Sequence, residues 1–189
     1  MLMTHLEDFD DAELARGAGT GCVASFAELA RRYQTRVVHY VRQVLGANGS
    51  GDADDVAQEA FVRAWQAIGH FDSRWAFSTW LFTIARRTCL NHVRGARRRR
   101  VRDTVSVCNL EAPDDPCTTA LVVERAVKLW DVAADRLSER QFTVLWLRYA
   151  ESKSLPEIAA VVETNEANVK VMLFRARQRL APFVQDLVE

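Results

Sequence analysis

The chain has 189 residues, 49% of them hydrophobic, enough for one medium domain or two small ones. Twenty-five basic residues balance 25 acidic ones, which excludes a globally basic nucleic-acid binder and directs attention to local segregation of charge. No apolar run of about 18 residues is present to span a membrane, and the acidic start MLMTHLEDFDD lacks the apolar core of a secretory signal.

Residues 1–22 read as a loose or partly helical tail. From Ser25 the pattern turns helical, with Phe26, Leu29, Tyr33, Val37, Val41 and Leu45 recurring at steps of three and four, until the turn residues GANGSG (46–51) end it. A second helix, DADDVAQEAFVRAWQAI (52–68), carries an apolar stripe through Val56, Ala60, Phe61, Ala64 and Trp65, with aspartates at its start where the helix dipole favours acids. Its opposite face presents Asp55, Gln58 and Glu59. That face is either an ordinary solvated surface or a docking site for a protein partner.

An aromatic loop, GHFDSRWAF (69–77), precedes a long helix starting near Phe77 or Ser78. Trp80, Leu81, Ile84 and Ala85 form its inner face. Thr83, Arg87, Asn91 and Arg94 fall on one outer line at near-helical spacing. From Arg86 to Arg102 there are eight arginines and no acid. Arginines beside aromatic surface suit a single-stranded nucleic acid, whose phosphates take the cations and whose unstacked bases take the rings. The competing interpretation is a cation cluster favoured by the helix C-terminus.

Residues 103–121, DTVSVCNLEAPDDPCTTAL, carry four acids, no base and two prolines without periodicity, and read as a flexible acidic linker between two helical domains. Four helices follow: about 122–135; one opened by the capping box S-x-x-Q of Ser138 and Gln141; one opened by S-x-x-E of Ser154 and Glu157, with Pro156 in its first turn; and one beginning after Asn165. The last two make a helix-turn-helix, with Ile158, Ala159 and Val162 packing on Val169 and Leu173. Asn168, Lys170, Val171, Phe174, Arg175 and Arg177 are left to face outward, among them an arginine able to grip guanine in a major groove. The fold class is all-α, two small helical domains joined by the linker.

Nothing points to catalysis. The histidines are scattered, Cys89 and His92 offer two metal ligands where a structural zinc wants four, and there is no phosphate loop or nucleophile motif. No cofactor is expected. Cys22, Cys89, Cys108 and Cys117 are irregularly spaced with no CxxC, so neither a disulfide framework nor a zinc ribbon is indicated and a reducing cytoplasm fits.

Taken together, these blocks resemble the extracytoplasmic-function (ECF) group of bacterial sigma factors. DADDVAQEAFVRAWQAI resembles that family's region 2.2, D-x-x-D-x-x-Q-E-x-F-x-x-x-W. FDSRWAFSTWLFTIARRTCLNHVR resembles regions 2.3 and 2.4, and LSERQFTVLWLRYAESKSLPEIAAVVETNEANVKVMLFRARQRL resembles region 4. The resemblance spans about residues 23–100 and 122–183. It implies a region 2 domain over 23–102, a region 4 domain over 122–189, and a protein that binds core RNA polymerase, recognises promoter DNA and helps melt it, without being an enzyme itself.

By the same resemblance, Asp55, Gln58 and Glu59 would dock on the clamp helices of the polymerase's largest subunit. The loop from Asp72 and Ser73 to Phe77 would capture a base flipped from the minus-ten element, with Thr83, Arg87, Asn91 and Arg94 beside the melted strand. Asn168, Lys170, Phe174, Arg175 and Arg177 would read the minus-thirty-five element. An anti-sigma factor is an implied partner. The chain departs from the family at Glu163, where the helix-turn-helix usually has glycine. The rival readings are a stand-alone helix-turn-helix regulator and an RNA-binding adaptor.

Overall fold

The computed structural model describes residues 6–46, 51–102 and 129–186. Among them are eight α-helices, short 3-10 turns and no strand: α1 (Asp11–Gly19), α2 (Val23–Leu45), α3 (Ala53–Ala67), α4 (Phe77–Arg102), α5 (129–136), α6 (Glu139–Tyr149), α7 (Leu155–Val161) and α8 (Glu166–Asp186). The expected linker, 103–121, lies outside the described residues, as do 122–128.

The first four helices pack as one unit. Leu29, Val37 and Val41 of α2, Val56, Ala60 and Ala64 of α3, and Leu81, Phe82 and Ala85 of α4 are fully or almost fully buried against one another. Apolar residues recurring every third or fourth position put one stripe of each helix inward. Gly46, at φ 64°, lets the chain leave α2 in a left-handed conformation that a side chain would resist.

Of the two forms expected for the N-terminal tail, loose or partly helical, residues 6–22 take the partly helical one. Asp10 caps α1, accepting from the Glu13 N–H at 2.7 Å while the Glu13 carboxylate accepts from the Asp10 N–H at 3.0 Å. Leu14, Ala15 and Ala18 are buried, and Asp11 holds both Arg32 and the Tyr33 hydroxyl of α2. A short apolar face, one capping box and the Asp11 contacts to α2 together dock this helix.

The second unit holds α5 to α8. Both predicted capping boxes form, Ser138 with Gln141 and Ser154 with Glu157, and Asn165 accepts from the Asn168 N–H at 2.8 Å. Ile158, Ala159 and Val162 bury against Val169 and Leu173, completing the helix-turn-helix. Glu163 lies in its turn at φ 55°, a left-handed conformation costing a non-glycine residue about 1–2 kcal/mol.

The two units pack on each other, α7 against α4 and α6 against α2. The Tyr40 hydroxyl lies 3.0 Å from Thr143 Oγ1, and Thr143 donates to Glu139 at 3.2 Å. A carboxylate only accepts, so Thr143 spends its hydrogen on Glu139 and Tyr40 donates to Thr143. Glu139 also accepts from Nε and Nη2 of the buried Arg86 guanidinium, at 2.8 and 3.1 Å. Trp146, Trp130 and Phe142 gather around the same seam, with Tyr40 6.1 Å from Trp146.

Candidate nucleic-acid interface

Of the outer line expected on α4, Arg87, Asn91 and Arg94 are exposed, whereas Thr83 is half-buried, its hydroxyl donating to the Thr79 carbonyl at 2.9 Å. Arg87, Asn91 and Arg94 line a cavity of about 560 Å³ together with Arg86 of the same helix and Arg140 and Glu163 of the second unit. Arg87 donates to Glu163 at 3.1 Å across it.

Asp72 and Ser73 lie in the loop before α4. Asp72 receives the Arg74 backbone N–H at 3.0 Å and its guanidinium at 2.6–3.0 Å, bonds that hold the Asp72 carboxyl below the usual carboxylate range. Phe77 differs from expectation. It is only 3% exposed, enclosed by Tyr33, Phe71 and Trp80 with ring centroids 5.6–5.9 Å away, so its ring is spent on the core and offers no open face to a base. Trp75, two residues earlier, is 39% exposed and is the loop's open aromatic surface. Sequence reasoning passed over it because a tryptophan in an aromatic run gives no sign of which rings turn inward.

On α8, Asn168, Lys170, Val171, Phe174, Arg175 and Arg177 are all exposed on the side away from Val169, Leu173 and Ala176. Phe174 is 58% exposed, and Arg177 lies 5.7 Å over the ring of exposed Tyr149. An arginine-rich helix with open apolar residues at the second position of a helix-turn-helix has the shape and charge of a major-groove reader. Asp55, Gln58 and Glu59 are exposed on α3, with Glu59 holding Arg63 one turn on at 2.6 Å.

Residues 29–99 match the Sigma-70 region 2 family, and residues 129–180 match Sigma-70, region 4. The RNA polymerase sigma-H factor of Pseudomonas aeruginosa is 31% identical over 186 residues, which cover 94% of this chain and 95% of that protein. The chain belongs to the ECF RNA polymerase sigma factors. The ECF RNA polymerase sigma-E factor of Escherichia coli is 29% identical over 191 residues, covering 96% of this chain and 98% of its own. The structure of CnrH in complex with the cytosolic domain of CnrY has a TM-score of 0.66 at 25% identity and covers 93% of this chain and 97% of CnrH. Bartonella quintana RpoE, solved with the anti-sigma factor NepR, shares the fold at a TM-score of 0.71 and 22% identity, covering 88% of this chain and 98% of its own.

As a sigma factor the protein binds core RNA polymerase, recognises promoter DNA and helps melt it; it is not an enzyme on its own. No helix among the described residues is long and apolar enough to cross a membrane. No group of three or more metal-ligating side chains occurs among them either. Cys89 is buried, which pushes its thiol up to about 12, and His92 lies 3.1 Å from Asp52.

One carboxylate between the units is expected to make stability depend on pH. Burial pushes Glu157 up, but hydrogen bonds from the Ser154 hydroxyl and N–H and from Thr79 of α4 outweigh it and hold the carboxyl at about 2. The folded state therefore favours the carboxylate. The stability this contributes is complete above the ordinary value of 4.5 and is lost as pH falls towards 2. In acid titrations followed by tryptophan fluorescence, Glu157→Gln is expected to lose less stability than wild type between pH 4.5 and 2. Parallel curves would show that Glu157 contributes nothing in that window.

Proposed function

We propose that this sigma factor divides promoter opening among three surfaces, an assignment supported chiefly by the separation of two exposed cationic helix faces, α4 and α8, on different helical units. Asp55, Gln58 and Glu59 dock on the clamp helices of core polymerase. The loop carrying Asp72, Ser73 and Trp75 receives a base flipped from the minus-ten element, while Thr83, Arg87, Asn91 and Arg94 follow the melted strand. Trp75 takes the stacking role first expected of Phe77, because only an open ring accepts a base on its face. Asn168, Lys170, Phe174, Arg175 and Arg177 read the minus-thirty-five element as duplex, arginine to guanine and the others to phosphates and methyl groups.

The arrangement makes physical sense for a chain of zero net charge. Flipping a base costs a few kcal/mol, more than one small domain recovers alone. Docking on polymerase holds both DNA-binding units near the promoter and raises their effective concentration. We further propose region 2 over 23–102 joined to region 4 over 122–189 by the acidic segment 103–121, action in the cytoplasm, and control by an anti-sigma factor. The partner-bound structures of CnrH and Bartonella quintana RpoE support the last point.

The docking surface is tested by joint Gln58→Ala and Glu59→Ala substitution. Affinity for core polymerase is expected to fall at least tenfold in a binding titration, with the circular dichroism spectrum unchanged because both side chains are exposed. Unchanged affinity would remove this face from the interface.

A further inference from the structure

Among the described residues, three ion pairs cross the seam between the two units with the same polarity. Arg36 of α2 meets Glu151, Arg86 of α4 meets Glu139, and Arg87 of α4 meets Glu163. Lys153 is the exception, reaching from the second unit to Ser78 and lying 3.4 Å from Glu157. The second unit thus offers the arginine-bearing side of the first unit mainly carboxylates, the sign of charge that a nucleic-acid backbone offers.

Glu163 stands out among these acids. It occupies a left-handed position that glycine fills without strain, and its carboxylate reaches out of its own turn to Arg87 on the opposite wall of the cavity. The turn is held there from behind, with Arg140 donating to the Val162 carbonyl at 2.8 Å. Both partners of the Arg87–Glu163 pair remain more than half exposed, so an incoming phosphate can reach and displace the carboxylate. Glu163 also lies three residues before the start of α8, the helix that carries the duplex-reading face.

We propose that Glu163 is an autoinhibitory latch, a carboxylate that occupies Arg87 in the closed chain in place of the single-stranded nucleic acid Arg87 binds in the open one. The proposal rests on the assignment of Arg87 to the melted strand. It predicts that nucleic acid and the second unit compete for one guanidinium, and that removing the carboxylate strengthens strand binding before any polymerase is present.

The test uses the full chain and a fluorescein-labelled single-stranded DNA 12-mer of random sequence, followed by anisotropy at about 50 mM salt, where screening is weak. Glu163→Gln removes the charge and keeps the strain; Glu163→Gly removes both. The latch predicts tighter binding by both variants, by about two- to fivefold, the range set by a half-exposed ion pair. It also predicts that the gain disappears when Arg87→Ala is added. Two results overturn it: affinities of both variants equal to wild type, or a gain that persists in the Arg87→Ala background and so reflects net charge alone. If Arg87→Ala by itself leaves binding unchanged, the assignment of Arg87 to the strand falls and the latch falls with it. If Arg87→Ala weakens binding while the Glu163 variants do nothing, only the latch falls.

Discussion

Phe82→Ala is expected to destabilise the N-terminal unit by about 3–5 kcal/mol, the cost of removing a fully buried aromatic ring and leaving a cavity. Phe82 is completely enclosed on α4, and its ring meets that of Tyr40 edge to face at 5.4 Å. Tyr40 is itself fully buried and carries the hydrogen bond to Thr143 of the second unit. The void therefore opens beneath the residue that ties the units together. Native domains hold only about 5–15 kcal/mol in total, so the variant should unfold at far lower urea concentration, read by far-ultraviolet circular dichroism. A loss below about 1 kcal/mol would mean that the neighbours collapse into the space and that Phe82 is not a keystone of this core.

Arg175→Ala carries the largest expected functional effect. Arg175 is exposed on α8, where an arginine gripping guanine is worth about 1–3 kcal/mol of discrimination. Loss of that contact corresponds to roughly a five- to 150-fold drop in promoter use, since each 1.4 kcal/mol is a factor of ten. Run-off transcription on a cognate promoter should fall by this amount while affinity for core polymerase stays the same. Lys170→Ala should instead weaken binding more evenly across sequences, as loss of a phosphate contact does. Equal losses on cognate and scrambled upstream sequences would reassign Arg175 to the backbone.

Much of this was legible from local chemistry. The two serine capping boxes, the Asn165 cap and the apolar steps of α2, α3 and α4 are decided within a few residues, and the structure follows them. The exposure of Asn168, Lys170, Phe174, Arg175 and Arg177 follows from the spacing of Val169, Leu173 and Ala176, which leaves the other side of the helix open. Glu163 in place of the family's glycine left open whether the turn keeps a left-handed residue or changes shape, and its φ of 55° shows the left-handed residue.

Other features were hidden because their causes are distant in the chain. Phe77 reads equally as core or as aromatic surface until Tyr33 of α2 is seen against it. The docking of α1 depends on Asp11 meeting Arg32 and Tyr33, more than twenty residues away, whereas its own apolar face is too short to announce a packed helix. The seam depends on pairs such as Arg86 with Glu139 and Arg87 with Glu163, separated by 53 and 76 residues, which no local pattern connects. The Asp10 and Glu13 capping box was the one local sign of α1 that a closer reading would have caught.

As proposed, this chain directs core RNA polymerase to promoters through two DNA-reading units and a docking face. Run-off transcription with purified core polymerase on a pool of upstream fragments, with and without the protein, tests it most directly. New discrete start sites are expected, and they disappear with Arg175→Ala and with the joint Gln58→Ala and Glu59→Ala variant. Tight, specific duplex binding that needs no polymerase, with no new transcripts, would contradict it.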